Sequence, residues 1–164
     1  MYDFNDGNGP VPAHKHLKGG GWVADTAYVA DIAYVGPEAK VFGNAKVFGY
    51  ARVYCRAEVS GNARVSGDAW VFGYAKVFGY ARVFDGAWVY DNAEVFGDAE
   101  VSDNARVYGN ARVYGNAEVF GDARVYGNAL VFGDAWVRGY AHVCSDVGDS
   151  KPGVNTTRTP QSVT

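Results

Sequence analysis

The chain has 164 residues, of which 20% are charged, with a formal net charge of −3 and a pI of about 5.5. This length suits a single domain, and the mild acidity argues against a general binder of nucleic acid or anionic membranes, which usually carries a basic excess. No stretch is long and apolar enough to span a bilayer. The first residues show neither a basic region nor an apolar run, so we expect no secretory signal and a cytoplasmic site of synthesis.

Residues 1–20 form a polar N-terminal segment that ends in glycines and leads into a repeat array. We predict that it caps the first layer of the array or serves as an attachment arm, because an open strand edge invites aggregation. His14 and His16 are its candidate interaction residues. A zinc site needs about three or four ligands, and the one further histidine, His142, lies at the far end of the array, so no metal is predicted. As a general base, His14 lacks any carboxylate partner that the sequence can name.

Residues 21–144 carry a strict six-residue repeat. Every sixth residue from Val23 to Val143 is valine, and an alanine lies two residues before each valine from Val29 onward. The residue between them is mostly charged, and this alternation predicts a short strand. The Gly-Asn or Gly-Asp pairs that follow tolerate the backbone of a tight corner. A helix is excluded, because the glycines that recur in most repeats would cost about 1 kcal/mol each.

The typical unit, Ala-x-Val-aromatic-Gly-Asn/Asp, resembles the repeat of the hexapeptide-repeat proteins, as in residues 111–116. The resemblance implies an all-β fold, a left-handed parallel β-helix with three hexads in each triangular coil, so that 21 hexads form seven coils. The sequence departs from the family after each valine, where a small residue is usual but Phe or Tyr occupies thirteen hexads here. The handedness and the triangular section come from the resemblance, not from the period.

Three hexads per coil would stack side chains that are 18 residues apart into ladders along the array. One predicted ladder alternates in charge through Lys40, Glu58, Lys76, Glu94 and Arg112. Another places Trp70 beside Trp88 between arginines. A third consists of rings: Tyr54, Phe72, Tyr90, Tyr108 and Tyr126.

The rings and tryptophans of these ladders are the candidate interaction residues of the array. Stacking on one another is the simpler interpretation, but outward rings in this number form apolar patches larger than a monomer usually exposes. We therefore predict a homo-oligomer, for which the resemblance favours a trimer, or a larger protein assembly.

Cys55 and Cys144 are separated by several predicted coils. A disulfide needs Cα atoms within about 7 Å, so we expect two free thiols, which fit a reducing compartment. Residues 145–164 lose the period and are predicted to form an extended or disordered C-terminal tail.

The sequence predicts no catalytic residue and no cofactor. Acyltransferases of the hexapeptide family carry a catalytic histidine, usually on a loop that interrupts the repeats, and no such interruption occurs within residues 21–144. The favoured function is a non-enzymatic structural or interaction protein, a rigid scaffold attached through its terminal segments. Long Gly-Asn-Ala-x-Val arrays resemble bacterial and phage proteins, which implies a virion-associated or surface decoration role. Two alternatives stay open: an acyltransferase with an intersubunit active site, and a glycan-binding module that uses the aromatic ladders.

Overall fold

The computed structural model describes residues 1–148, and residues 149–164 of the predicted tail lie outside the described residues. The described part contains 22 short strands and no helix, and no segment of it is a helix able to cross a membrane. The strands form three sheets.

Sheet 1 contains β1 (Ala13–Lys15), β2 (Trp22–Ala24), β5 (Lys40–Val41), β8 (Glu58–Val59), β11 (Lys76–Val77), β14 (Glu94–Val95), β17 (Arg112–Val113) and β20 (Leu130–Val131). Sheet 2 contains β3 (Tyr28–Val29), β6 (Lys46–Val47), β9 (Arg64–Val65), β12 (Arg82–Val83), β15 (Glu100–Val101), β18 (Glu118–Val119) and β21 (Trp136–Val137). Sheet 3 contains β4 (Tyr34–Val35), β7 (Arg52–Val53), β10 (Trp70–Val71), β13 (Trp88–Val89), β16 (Arg106–Val107), β19 (Arg124–Val125) and β22 (His142–Val143).

Each repeat strand pairs in parallel with the strand three places further along the chain. Val71 lies opposite Val89, and Val89 lies opposite Val107, so the register advances by one coil at every pairing. The repeats therefore make seven stacked coils with three sides, which confirms the predicted triangular parallel β-solenoid.

The axis of the solenoid is filled by the valines and alanines of the repeat. From Ala33 to Val131 every one of these side chains has an exposed fraction of zero. The residue between each Ala and Val points outward because successive side chains of a strand face opposite ways. The core is thin, and stability comes from stacking each coil on its neighbours.

The corners depend on a left-handed backbone conformation. The corner glycines from Gly43 to Gly139 have φ between 65° and 74°. At Gly97 an added Cβ would lie 3.0 Å from the backbone nitrogen of Gly115 in the next coil, so conformation and close approach both favour glycine there. Four corners of the array hold another residue at positive φ: Cys55, Asp85, Asp91 and Asp103.

The N-terminal segment folds back on the first coil. β1 pairs antiparallel with β2, which places His14 opposite Val23 at the edge of sheet 1. The backbone N–H of Val35 in sheet 3 donates to the carbonyl of Lys18 at 3.1 Å. The segment thus covers the exposed edges of two of the three sheets.

The other end of the array continues sheet 1 beyond its last repeat strand. Val147 forms a parallel bridge with Val131, and the carboxylate of Asp146 accepts a hydrogen bond from the backbone N–H of Leu130 at 3.1 Å. Cys55 and Cys144 are both free and exposed, as predicted.

Candidate functional site

The outer face of sheet 1 carries the alternating charges that the sequence predicts. Glu58 lies between two lysines, with carboxylate–ammonium distances of 3.5 Å to Lys40 and 3.8 Å to Lys76. Arg112 contacts Glu94 at 3.0 Å. Each such pair is partly exposed and contributes about 0–1 kcal/mol. Because opposite charges alternate along this face, they pair with one another.

The outer face of sheet 3 brings the two predicted tryptophans together. The indoles of Trp70 and Trp88 stack with centroids 5.1 Å apart. The guanidinium of Arg52 lies 4.9 Å from the ring of Trp70, and that of Arg106 lies 5.0 Å from the ring of Trp88. The flat faces of both indoles are therefore covered by side chains of the same chain.

The five predicted rings after the valines of sheet 3 form one unbroken column. Successive centroids are 4.9–5.3 Å apart: Tyr54, Phe72, Tyr90, Tyr108 and Tyr126. Phe72 also meets the edge of Trp88 at 6.1 Å, so the column and the indoles share one surface. This continuity follows from strand geometry, because residues two apart point to the same side.

Partial burial in this column changes the acidity of its phenols. Desolvation raises the pKa of Tyr54 and of Tyr90, with smaller contributions from the neighbouring thiol of Cys55 and phenol of Tyr108. The rings are half-buried, so their edges, and not their flat faces, meet the surroundings.

The two predicted histidines lie away from the aromatic surface, in the N-terminal segment. Nδ1 of His14 lies 2.8 Å from a carboxylate oxygen of Asp25, and a ring nitrogen of His16 lies 3.1 Å from the carbonyl oxygen of Ala33. His16 is only 6% exposed. The sequence analysis could name no carboxylate partner for His14, and the structure shows that Asp25 is one. Both histidines join the segment to the first coil.

Sequence reasoning missed two aromatic residues that attach the same segment. Tyr2 stacks on Trp22 with centroids 4.2 Å apart, and Phe4 stacks on Phe42 at 4.9 Å. Phe4 is 3% exposed, a core residue within a polar stretch. Its only sequence signal was the Tyr-Asp-Phe alternation at residues 2–4, which is too short to indicate a partner.

Metal-ligating side chains are dispersed over the part of the chain that the structure describes. No three His, Cys, Asp or Glu residues lie together there. The exposed features of the solenoid are therefore ladders of charge and of rings.

Repeat strands that pair in parallel in three sheets around a Val–Ala core define a β-solenoid repeat protein. In agreement, the family model of the YdcK beta-solenoid repeat matches residues 57–73, 99–115, 105–121 and 123–139. No curated protein matches the chain significantly.

Proposed function

We propose that the protein is a non-enzymatic structural scaffold, a rigid β-solenoid whose outer ladders pack against other subunits in a homo-oligomer or a larger protein assembly. The observation that carries this proposal is the unbroken aromatic surface of sheet 3. Its ring column runs through five successive coils with its edges outward. An apolar surface of this length on a small prism is typical of a contact between proteins.

The backbone supports the rigidity that a scaffold needs. Short strands follow one another at every sixth residue, and hydrogen bonds of about 2.9 Å link each coil to the next along all three sides. Further rings stand at the corners, where Tyr50, Tyr74 and Tyr80 are more than half exposed. These side chains offer large contact area at a low cost in conformational entropy.

The contacts of the candidate residues favour a scaffold over the two alternatives. The flat faces of Trp70 and Trp88 are covered by neighbouring side chains, so these two indoles offer no platform on which a sugar ring would stack. His14 and His16 hold the N-terminal segment in place. The virion or envelope location implied by the sequence resemblance stays a prediction.

Thermal unfolding with and without acetyl-CoA tests the proposal against the acyltransferase alternative. A ligand that binds only the folded state raises apparent stability, so we expect an unchanged Tm. A rise of several degrees would favour an enzyme. Retention on a polysaccharide column that is lost in Trp88→Ala would favour the glycan-binding alternative. Light scattering of the full chain at high concentration should give a mass above that of a single chain.

A further inference from the structure

The outer face of sheet 2 has a charge order unlike that of sheet 1. Its outward ladder consists of Tyr28, Lys46, Arg64, Arg82, Glu100, Glu118 and Trp136. Three cations are followed by two anions, and in-register strands place like charges directly beside each other, which is unfavourable.

Three of these five charges form no ion pair with another residue of the described chain. Arg82 contacts Glu100 at 2.6 Å. Within residues 1–148, by contrast, Lys46, Arg64 and Glu118 make no ion pair. The positive charges lie in one half of this face and the negative charges in the other. If a second copy lies on it with its coils in the opposite order, each positive half meets a negative half.

A second row on the same face alternates between large and small side chains. It reads Phe48, Ser66, Phe84, Ser102 and Phe120, one residue for each coil. The guanidinium of Arg82 lies 5.7 Å from the ring of Phe84, so the two rows are neighbours on one surface. Each serine leaves a gap between rings that are about 10 Å apart, twice the strand spacing. The ring columns of the other two sheets run without such gaps over several coils.

We propose that a second copy of this chain packs on the sheet 2 face with its solenoid axis antiparallel to that of the first. The two-fold axis lies in the interface, parallel to the strands and midway between β12 and β15. This deepens the proposed scaffold function and rests on it. The rotation reverses the order of the coils. Arg82 then faces the partner's Glu100, and Arg64 faces the partner's Glu118. In a two-fold interface each of these pairs occurs twice.

The same register also matches the middle of the row of rings. Phe84 faces the partner's Ser102, and Phe120 faces the partner's Ser66, so both of these rings enter a gap. A register centred on Arg82 instead opposes Arg82 to Arg82 and Phe84 to Phe84. A parallel arrangement opposes like charges at each of the five charged coils. Charge and shape thus select one orientation and one register.

The contact is small. Six coils at about 4.8 Å each span about 29 Å, and one side of a narrow prism buries less area than a standard stable interface. The dimer is therefore reversible, and its ion pairs make it sensitive to salt.

Sedimentation equilibrium of the full chain from about 1 to 200 µM tests the proposal. We expect a monomer–dimer equilibrium whose Kd rises about tenfold or more at high salt, a loss of at least about 1.4 kcal/mol. Arg64→Glu and Glu118→Arg should each raise Kd by at least tenfold, and the double variant should restore dimerisation. Within the monomer, each single change sets an opposite charge beside its ladder neighbours, so Tm at low concentration should not fall.

A matched pair of substitutions tests the register. Ser66→Trp fills a gap on sheet 2 and should abolish the dimer, whereas Ser60→Trp makes the same change in the corresponding row of sheet 1 and should leave it intact. A trimer, a monomer at every concentration, or a dimer indifferent to Arg64→Glu would each overturn the interface. A trimer would still leave the scaffold proposal standing, whereas stabilisation by acetyl-CoA would overturn the scaffold whatever the mass.

Discussion

The indoles of Trp70 and Trp88 lie face to face, with their centroids 5.1 Å apart and their planes within 8° of each other. With Arg52 above and Arg106 below, they form a single stack through four successive strands of sheet 3. Stacked rings bury area and add a direct attraction of about 0.5–1.5 kcal/mol for each pair. These side chains join coils that otherwise meet through backbone hydrogen bonds and a thin core.

Trp88→Ala should lower the free energy of unfolding by about 2 kcal/mol, because it removes a half-buried ring and uncovers its neighbours. Chemical denaturation at low micromolar protein measures the change. Trp136→Ala is the matched control, since Trp136 is exposed at the last coil of sheet 2 and makes no ring contact within residues 1–148. Equal losses in the two variants would contradict the role given to the stack.

Cys55→Gly should stabilise the protein by about 0.5–1 kcal/mol. Cys55 has φ of 55° at a corner where most hexads have glycine. Glycine removes the strain of this positive φ from the folded state. We expect this gain to exceed the loss of stability that glycine causes by increasing the entropy of the unfolded chain.

Asp103→Gly makes a comparable substitution at a corner where the replaced side chain forms a hydrogen bond, so it serves as the comparison for Cys55→Gly. Asp103 also has a positive φ, but its carboxylate accepts a hydrogen bond from the N–H of Gly121 at 2.9 Å. Loss of this bond, worth about 1 kcal/mol, offsets the relief of strain, so stability should hardly change. Thermal unfolding of both variants checks the difference, and a destabilised Cys55→Gly would refute it.

The free energy of unfolding should decline at alkaline pH because of the tyrosines in the ring column. Burial raises the pKa of Tyr54 and Tyr90 above the ordinary value of 10.0, so the folded state holds these protons more tightly than the unfolded state. Their contribution to stability is complete below about pH 10 and is lost as the pH rises from there through the raised pKa.

Unfolding measurements between about pH 9 and pH 11 should show this decline, with a smaller slope in Tyr90→Phe. Tyr140→Phe is the control, because Tyr140 is 81% exposed. A slope that changes equally in both variants would show that the column is not the cause.

Phe4→Ala should detach the N-terminal segment while the array stays folded. Phe4 is buried against Phe42, and its removal should cost about 3 kcal/mol locally. Hydrogen exchange should then lose protection at the N–H of His16, which donates to the carbonyl of Gly21 at 2.9 Å.

Leu17→Ala serves as the control for this detachment, since Leu17 is 95% exposed in the same segment. The freed edge of β2 should also increase aggregation of Phe4→Ala. Unchanged exchange at His16 would mean that hydrogen bonds alone hold the segment.

The period of the array was enough to predict the strands and the corners, and the order of the ladders followed once the resemblance to hexapeptide-repeat proteins supplied three hexads for each coil. Valine and alanine two residues apart must share a side of a strand, and glycine at a fixed place must make the turn. Once three hexads close a coil, the neighbour of Trp70 is necessarily Trp88. Because every coil repeats the one before it, the sequence determined these contacts once the number of hexads in a coil was given.

The contacts of the segment outside the repeats were decided only by the tertiary structure. Nothing in the period places Phe4 on Phe42, or Asp25 beside His14, because these pairs depend on where a non-repeating chain folds back. The same holds for the charges of sheet 2. The sequence contains the order of these charges. Only the structure shows that Arg64 and Glu118 share one outer face and that neither makes an ion pair within residues 1–148. The repeated hexad determines the solenoid, because each coil packs on a neighbour built from the same repeat. The contacts of its ends and outer faces depend on residues far apart in sequence, so only the tertiary structure shows them.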